Sequence, residues 1–256
     1  MKAIQIEVPH KISYIDVPRP KARPGEALLK IEASGLCHTD VNIYEGNFHA
    51  EYPVIPGHEF AGTVVEVGPG VNPDWVGKPV VVDPNVPCGL CPACHSNHQN
   101  QCRTLDAYGV TVPGGFAEYA AVKESNIHLL KNVPFDRAVF AEPLACVLHA
   151  LTQIPRYPGG RALIFGAGPM GLLMLQSLPL IGISSVAMVD LHSERLRIGK
   201  ELGARQILTD VEAKSHNEQY DVVVDATGVL KVIEGLPTFT ATSGSIIYFG
   251  VANPKE

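Results

Sequence analysis

The sequence predicts two folds in one chain: a small barrel-like β domain, then an α/β domain on a parallel sheet. Short Val-rich runs broken by Gly and Pro carry the first reading. Apolar runs alternating with helical stretches from Arg161 onward carry the second. Pro155, Pro158, Gly159 and Gly160 mark the change of style, which sets the domains at 1–154 and 155–256. A chain of 256 residues has room for one large domain or two of roughly 150 residues.

In order, Lys2–Val8 and Lys11–Val17 are alternating runs joined by Pro9-His10. Glu26–Ala33 follows the turn Arg23-Pro24-Gly25, and Phe60–Val67 and Lys78–Asp83 are further strands. Ala141–Gln153 reads as a helix leading into the second domain. There Arg161–Phe165 is a strand, followed by a Gly-rich turn and a helical stretch. Ser185–Val189 is the next strand, and His192–Leu202 a helix stopped by Gly203. Gln206–Leu208, Asp221–Val224 and Ser245–Phe249 complete the pattern.

With 46% hydrophobic and 18% charged residues, the chain can bury a core and is neither disordered nor collagen-like. A net charge of −6 argues against nucleic acid as a partner. The longest apolar stretch, Leu172–Ile183, is interrupted by Gln176, Ser177 and Pro179, so no membrane span is expected. Met1 opens straight into a strand pattern without a signal peptide, and the expectation is a cytoplasmic protein.

Six cysteines are present: Cys37, Cys88, Cys91, Cys94, Cys102 and Cys146. Four of them form C-x2-C-x2-C-x7-C, a spacing that lets four thiolates converge on one tetrahedral zinc. Four sulfurs fill every position, so Cys88, Cys91, Cys94 and Cys102 read as a closed, structural site. The competing reading, free thiols or a redox sensor, leaves a dense set of reactive sulfurs unligated. His95 and His98 read as solvated neighbours.

Gly166-Ala167-Gly168-Pro169-Met170-Gly171 is a G-x-G-x-x-G between a strand and a helix, with Asp190 closing the next strand. Gly166 permits the turn, Gly168 the approach of a pyrophosphate, and Gly171 close helix–strand packing. Pro169 and Met170 open the helix whose N-terminus attracts phosphate. Asp190 suits a ribose diol and disfavours a 2′-phosphate, which selects NAD over NADP. Arg195 weakens that preference. The alternative is an ordinary glycine turn with Asp190 as a helix cap.

Cys37 and His58 lie outside the four-cysteine cluster and could hold a second, open zinc. Glu142, an acid in an apolar segment, is a third candidate ligand. Glu59 is either a ligand or a group behind the ligands.

Gly57-His58-Glu59-x-x-Gly62, with Gly68 and Val71 beyond, resembles the zinc signature of the medium-chain alcohol dehydrogenase family. Cys37-His38-Thr39-Asp40, the four-cysteine lobe, Ala141-Glu142-Pro143 and the glycine loop follow in that family's order. The resemblance covers essentially the whole chain. It implies a GroES-like β-barrel catalytic domain, then a Rossmann doubly wound sheet, with a cleft between them. Glu142, where classical members carry Cys, resembles the sorbitol and polyol dehydrogenase branch. The implied function is zinc-dependent hydride transfer from a polyol or sugar alcohol to NAD. Threonine-type and simple secondary-alcohol dehydrogenases stand as alternatives, as does a truncated, non-catalytic NAD- or zinc-binding module. Thr39 matches the family hydroxyl that passes the proton on, and it also fits a helix N-terminus together with Asp40.

Two departures stand out. Asn42 occupies the position of the His that ends the family's proton relay, and His49 is a candidate substitute. Family members also continue beyond the strand near Phe249, so the Rossmann sheet is expected to be incomplete at its C-terminal end. Ser245–Val251 would then be an apolar edge. The sequence is either a fragment or a natural truncation, and homo-oligomers are expected where the further segment is present. Elsewhere, Cys146 is expected to be a buried small hydrophobe, His149 packed, Trp75 a cap on the β domain, and His192 and His216 surface residues.

Overall fold

The computed structural model describes residues 1–209 and 219–252. The chain divides into two compact units, Met1–Glu142 and Pro143–Glu256.

The first unit opens with an antiparallel hairpin of β1 (Lys2–Val8) and β2 (Lys11–Asp16), matching the alternating runs of the sequence. The hairpin is separate from the main sheet, and single bridges tie Ala3 to Ala117 and Ile6 to Val54. β3 (Glu26–Ser34), β4 (Phe60–Val67) and β5 (Pro79–Val82) form the centre of an antiparallel five-stranded sheet. Two short strands, β6 (Asn85–Val86) and β7 (Asp106–Ala107), pair at the base of the cysteine lobe. β8 (Tyr119–Lys123) and β9 (Ile127–Leu129) flank the main sheet in the order β8-β3-β4-β5-β9. Alternate residues Ala27, Leu29, Phe60, Val64, Val80, Val82 and Val122 fill the core on one face, and Leu28, Ala61 and Val81 are buried on the other. Trp75 packs on the rim of that core and donates Nε1–H to Glu124 at 2.9 Å. The helices are α1 (His38–Glu45), α2 (Pro92–His95) and α3 (Phe135–Ala138), the last seating Ala138 against Ala61 and Val81.

Helix α4 (Ala141–Thr152) runs from the junction and buries Pro143, Val147 and Leu151. Cys146 and His149 fall on its other side and are exposed, contrary to the packed roles expected of them. The helical period decides this, because Val147 and Leu151 take the inward stripe. The second unit holds β10 (Arg161–Phe165), β11 (Ser185–Val189), β12 (Gln206–Leu208), β13 (Tyr220–Asp225) and β14 (Thr240–Tyr248). Every pairing is parallel, in the order β12-β11-β10-β13-β14. This is the Rossmann order 3-2-1-4-5 over five strands. Helices α5 (Pro169–Ser177), α6 (Ser193–Glu201) and α7 (Leu230–Phe239) accompany the sheet. Ala162, Leu163, Ile164 and Phe165 of β10 are all buried, as in a strand covered on both faces. Among the described residues β14 pairs only with β13 and is an edge. His192 is exposed, while His216 lies outside the described residues. No described helix is long and apolar enough to cross a membrane.

Candidate active site and metal centres

The four lobe thiols converge. Sγ–Sγ distances are 3.9 Å for Cys88–Cys94, 3.5 Å for Cys91–Cys94 and 3.9 Å for Cys91–Cys102. A tetrahedron of sulfurs about 2.3 Å from its centre has edges of about 3.8 Å, close to these three, and all four sulfurs lie within 4.8 Å of one another. The N–H groups of Leu90 and Cys91 donate to Cys88 and pull its thiol down to about 6, whereas burial pushes Cys94 up to about 11. A cation at the centre would hold all four as thiolates. His95 and His98 are exposed beside the lobe.

A second group, Cys37, His58 and Glu59, places one ligand atom of each within 4.8 Å of the others. The β3–β4 ladder brings them together. Ser34 pairs with Phe60, and Gly35 N–H donates to Glu59 O at 2.7 Å, so the chain ends beyond the ladder deliver both sides of the site. Gly35 matters sterically, since a Cβ there would lie 2.2 Å from Glu59 Oε2.

Cys37 is the N-cap of α1, and Thr39 and Asp40 fall in its first turn, where Asp40 completes a capping box with Cys37. Asp40 is 4% exposed and ties the two halves of the group: its carboxylate accepts from Cys37 N–H at 2.9 Å and Gly57 N–H at 3.1 Å. His58 Nδ1 lies 3.6 Å from Asp40 Oδ1, too far for a hydrogen bond but close enough for strong attraction. Burial alone would depress the His58 imidazole, yet Asp40 and Cys37 outweigh it and push it up to about 10. Burial, opposed by His58 and reinforced by Glu142, pushes Glu59 up. Glu142 therefore acts on Glu59 electrostatically while standing outside the convergent set. Cys37 Sγ is 3.6 Å from Thr39 Oγ1. His49 is exposed, with Nε2 3.8 Å from Glu51.

In the second unit, Gly166 adopts φ +101°, and a Cβ on Gly171 would stand 1.9 Å from Gly166 O. A Cβ on Gly168 would meet nothing within 4 Å, which leaves the face that a pyrophosphate would approach open. Pro169 begins α5, and Met170 packs on the core beneath. Asp190 accepts from Ala167 N–H at 2.7 Å and from His192 N–H at 2.8 Å, which binds the loop to the end of β11. It is not the cap of α6, whose N-cap is His192. Arg195 is exposed on the first turn of α6.

Sequence reasoning passed over Asp40 and Gly35 as site residues. An acid three residues after an N-cap is a readable signal for the first. Gly35 carries none, because its role depends on a side chain 24 residues away (Glu59).

Residues 23–132 match the alcohol dehydrogenase GroES-like domain, and residues 136–256 match the glucose dehydrogenase C-terminus. The D-altritol 5-dehydrogenase of Agrobacterium fabrum is 40% identical over 99% of this chain and 77% of its own length. The galactitol-1-phosphate dehydrogenase structure from Escherichia coli is 28% identical, with a TM-score of 0.87 over 98% of this chain and 76% of that one. The alcohol dehydrogenase rspB of Escherichia coli CFT073, complexed with NADH, is 32% identical, with a TM-score of 0.88 over 96% and 75%. The chain belongs to the zinc-dependent medium-chain alcohol dehydrogenase family, in its polyol dehydrogenase-like branch.

Proposed function

We propose that this protein is a zinc-dependent oxidoreductase that transfers a hydride from a secondary hydroxyl of a polyol or sugar alcohol to NAD. The observation that carries the reading is the open group of Cys37, His58 and Glu59, distinct from the saturated four-thiol lobe, in a chain that also holds a dinucleotide loop. Relatives named for altritol and galactitol 1-phosphate support the polyol class.

Cys37, His58 and Glu59 would hold the catalytic zinc, with Glu142 behind Glu59. When bound, the metal supplies Lewis acidity toward the alcohol oxygen and the coenzyme supplies the hydride acceptor. The chain's own residues do the rest. Asp40 fixes the backbones of Cys37 and Gly57, so the ligand side chains meet in one place. Thr39 Oγ1, beside Cys37 Sγ, takes the proton from the substrate hydroxyl and passes it on. With Asn42 in place of a titratable group, that proton leaves to water directly or by way of exposed His49. Gly166, Gly168, Pro169, Met170 and Gly171 receive the pyrophosphate, and Asp190 the adenosine ribose. Arg195 stands near enough in sequence to temper the preference for NAD. The functional division we assign is residues 1–154 for catalysis and 155–256 for coenzyme. Cytoplasmic operation, where thiols stay reduced, and homo-oligomers in chains carrying a further segment complete the reading.

The test is NADH formation from NAD with a panel of polyols, simple alcohols and threonine, with and without a zinc chelator, repeated with NADP. Chelator-sensitive turnover on polyols is expected. Turnover that ignores the chelator would reject the zinc role, and preference for threonine would reject the substrate class.

A further inference from the structure

Among the described residues, one buried acid, Asp225, has no part in the reading above. Asp225 ends β13 and is 0% exposed. Its Oδ1 accepts from the N–H of Thr227 at 2.8 Å and from the Thr227 hydroxyl at 2.6 Å. Gly228 N–H is shared between Oδ1 and Oδ2 at 3.3 and 3.2 Å. The Asp225 carbonyl takes the N–H groups of Phe249 and Gly250, both at 2.9 Å. The fit is tight: a Cβ on Gly250 would lie 2.7 Å from Asp225 Oδ2, and one on Gly228 would lie 2.3 Å from Val251 O. The carboxylate thus sets the loop that follows β13, and the backbone carbonyl of the same residue ties down the start of the loop that follows β14.

The sheet order says what those loops face. β10 lies at the switch between β11–β12 on one side and β13–β14 on the other. Dinucleotides lie across strand ends at such a point. The glycine loop and Asp190 follow β10 and β11, so the adenosine half belongs on that side. The other half must lie over the ends of β13 and β14. Ala226 abuts the glycine loop directly: its N–H donates to Phe165 O at 2.8 Å, and a Cβ on Gly166 would be 3.0 Å from Ala226 O.

We propose that Asp225 is a positioning residue for the nicotinamide half of the coenzyme. Its carboxylate holds Thr227 and Gly228 in the shape that receives that half and touches neither coenzyme nor substrate. The inference rests on the NAD reading above, and the experiment separates the two. NADH and AMP binding are titrated, by fluorescence and calorimetry, on the full chain as wild type, Asp225→Ala, Asp225→Asn and Thr227→Val. Asp225→Ala should weaken NADH about tenfold, the scale of a lost charge-assisted hydrogen bond, with AMP unchanged. Asp225→Asn keeps an acceptor oxygen and should recover most of the loss. Thr227→Val, at an exposed residue, should weaken NADH several-fold with AMP unchanged, and it decides the matter alone if Asp225→Ala does not fold. Equal loss of NADH and AMP would assign Asp225 a purely structural role and overturn the proposal, as would NADH binding unchanged in Thr227→Val. A wild-type chain that binds neither ligand would overturn the coenzyme reading itself.

Discussion

Glu59 reaches Cys37 and His58 because Gly35 carries no side chain to obstruct it, while Glu142 presses on Glu59 from outside the group. Metal content should therefore distinguish the two acids. Glu59→Gln is expected to lose the catalytic ion and keep the lobe ion, whereas Glu142→Gln keeps both. Elemental analysis decides it, and the reverse pattern would make Glu142 the ligand. The charge on His58 gives a second prediction. In the metal-free protein the imidazole sits near 10, above its ordinary 6.5. Its ion pair with Asp40 thus stabilises the fold fully below the ordinary value and is lost as pH rises through about 10. Zinc needs the neutral ring, so metal uptake must release that proton. Affinity at this site should rise at least about tenfold per pH unit across the neutral range, the factor set by the His58 proton alone. Cobalt titrations followed by absorbance at stepped pH measure this, and an affinity independent of pH would remove His58 from the ligand set.

Among the elements, the cysteine lobe is the one with least of its own to hold it. Between Pro87 and Thr104 the buried residues are Cys94 and Cys102, which are themselves ligands. Cys91→Ser should release the lobe zinc, expose this segment to proteases and leave the catalytic ion in place. An ion present at about 100 times its Kd contributes about 2.7 kcal/mol, so the melting temperature should fall by several degrees. Unchanged proteolysis would show that the lobe folds without metal. The lobe was legible in the sequence because its ligands are close neighbours and spacing alone dictates convergence. The same held for β10, the glycine loop and Asp190, where each signal lies within one βαβ unit. The short strands β8 and β9 escaped, since three to five residues hold too little alternation to read. Helix α7 escaped because Pro237 interrupts its pattern, two residues before the helix ends at Phe239. The open site was legible as residue types but not as geometry. Only the β3–β4 register shows that Glu59, rather than Glu142, joins Cys37 and His58.

For the whole molecule, each unit carries its own apolar core: Phe60, Val64 and Val82 in the first, Ile164, Met174 and Val224 in the second. The residues assigned to each ligand also lie within one unit. The thiols and the open group lie in Met1–Glu142, and the glycine loop with Asp190 lies in Pro143–Glu256. Ligands that bind only the folded form stabilise the unit that holds them by mass action. Scanning calorimetry should accordingly resolve two transitions, since two cores that melt separately need not share one midpoint. Chelation should lower one transition and leave the other. AMP at about 100 times its Kd should raise the other by about 2.7 kcal/mol of stability and leave the first. NADH should shift the same transition as AMP, and by more, if the loop fixed by Asp225 receives its second half. A single transition moved by both chelator and AMP would show that the two cores unfold as one, and the assignment of each ligand to its own unit would then have no thermodynamic meaning.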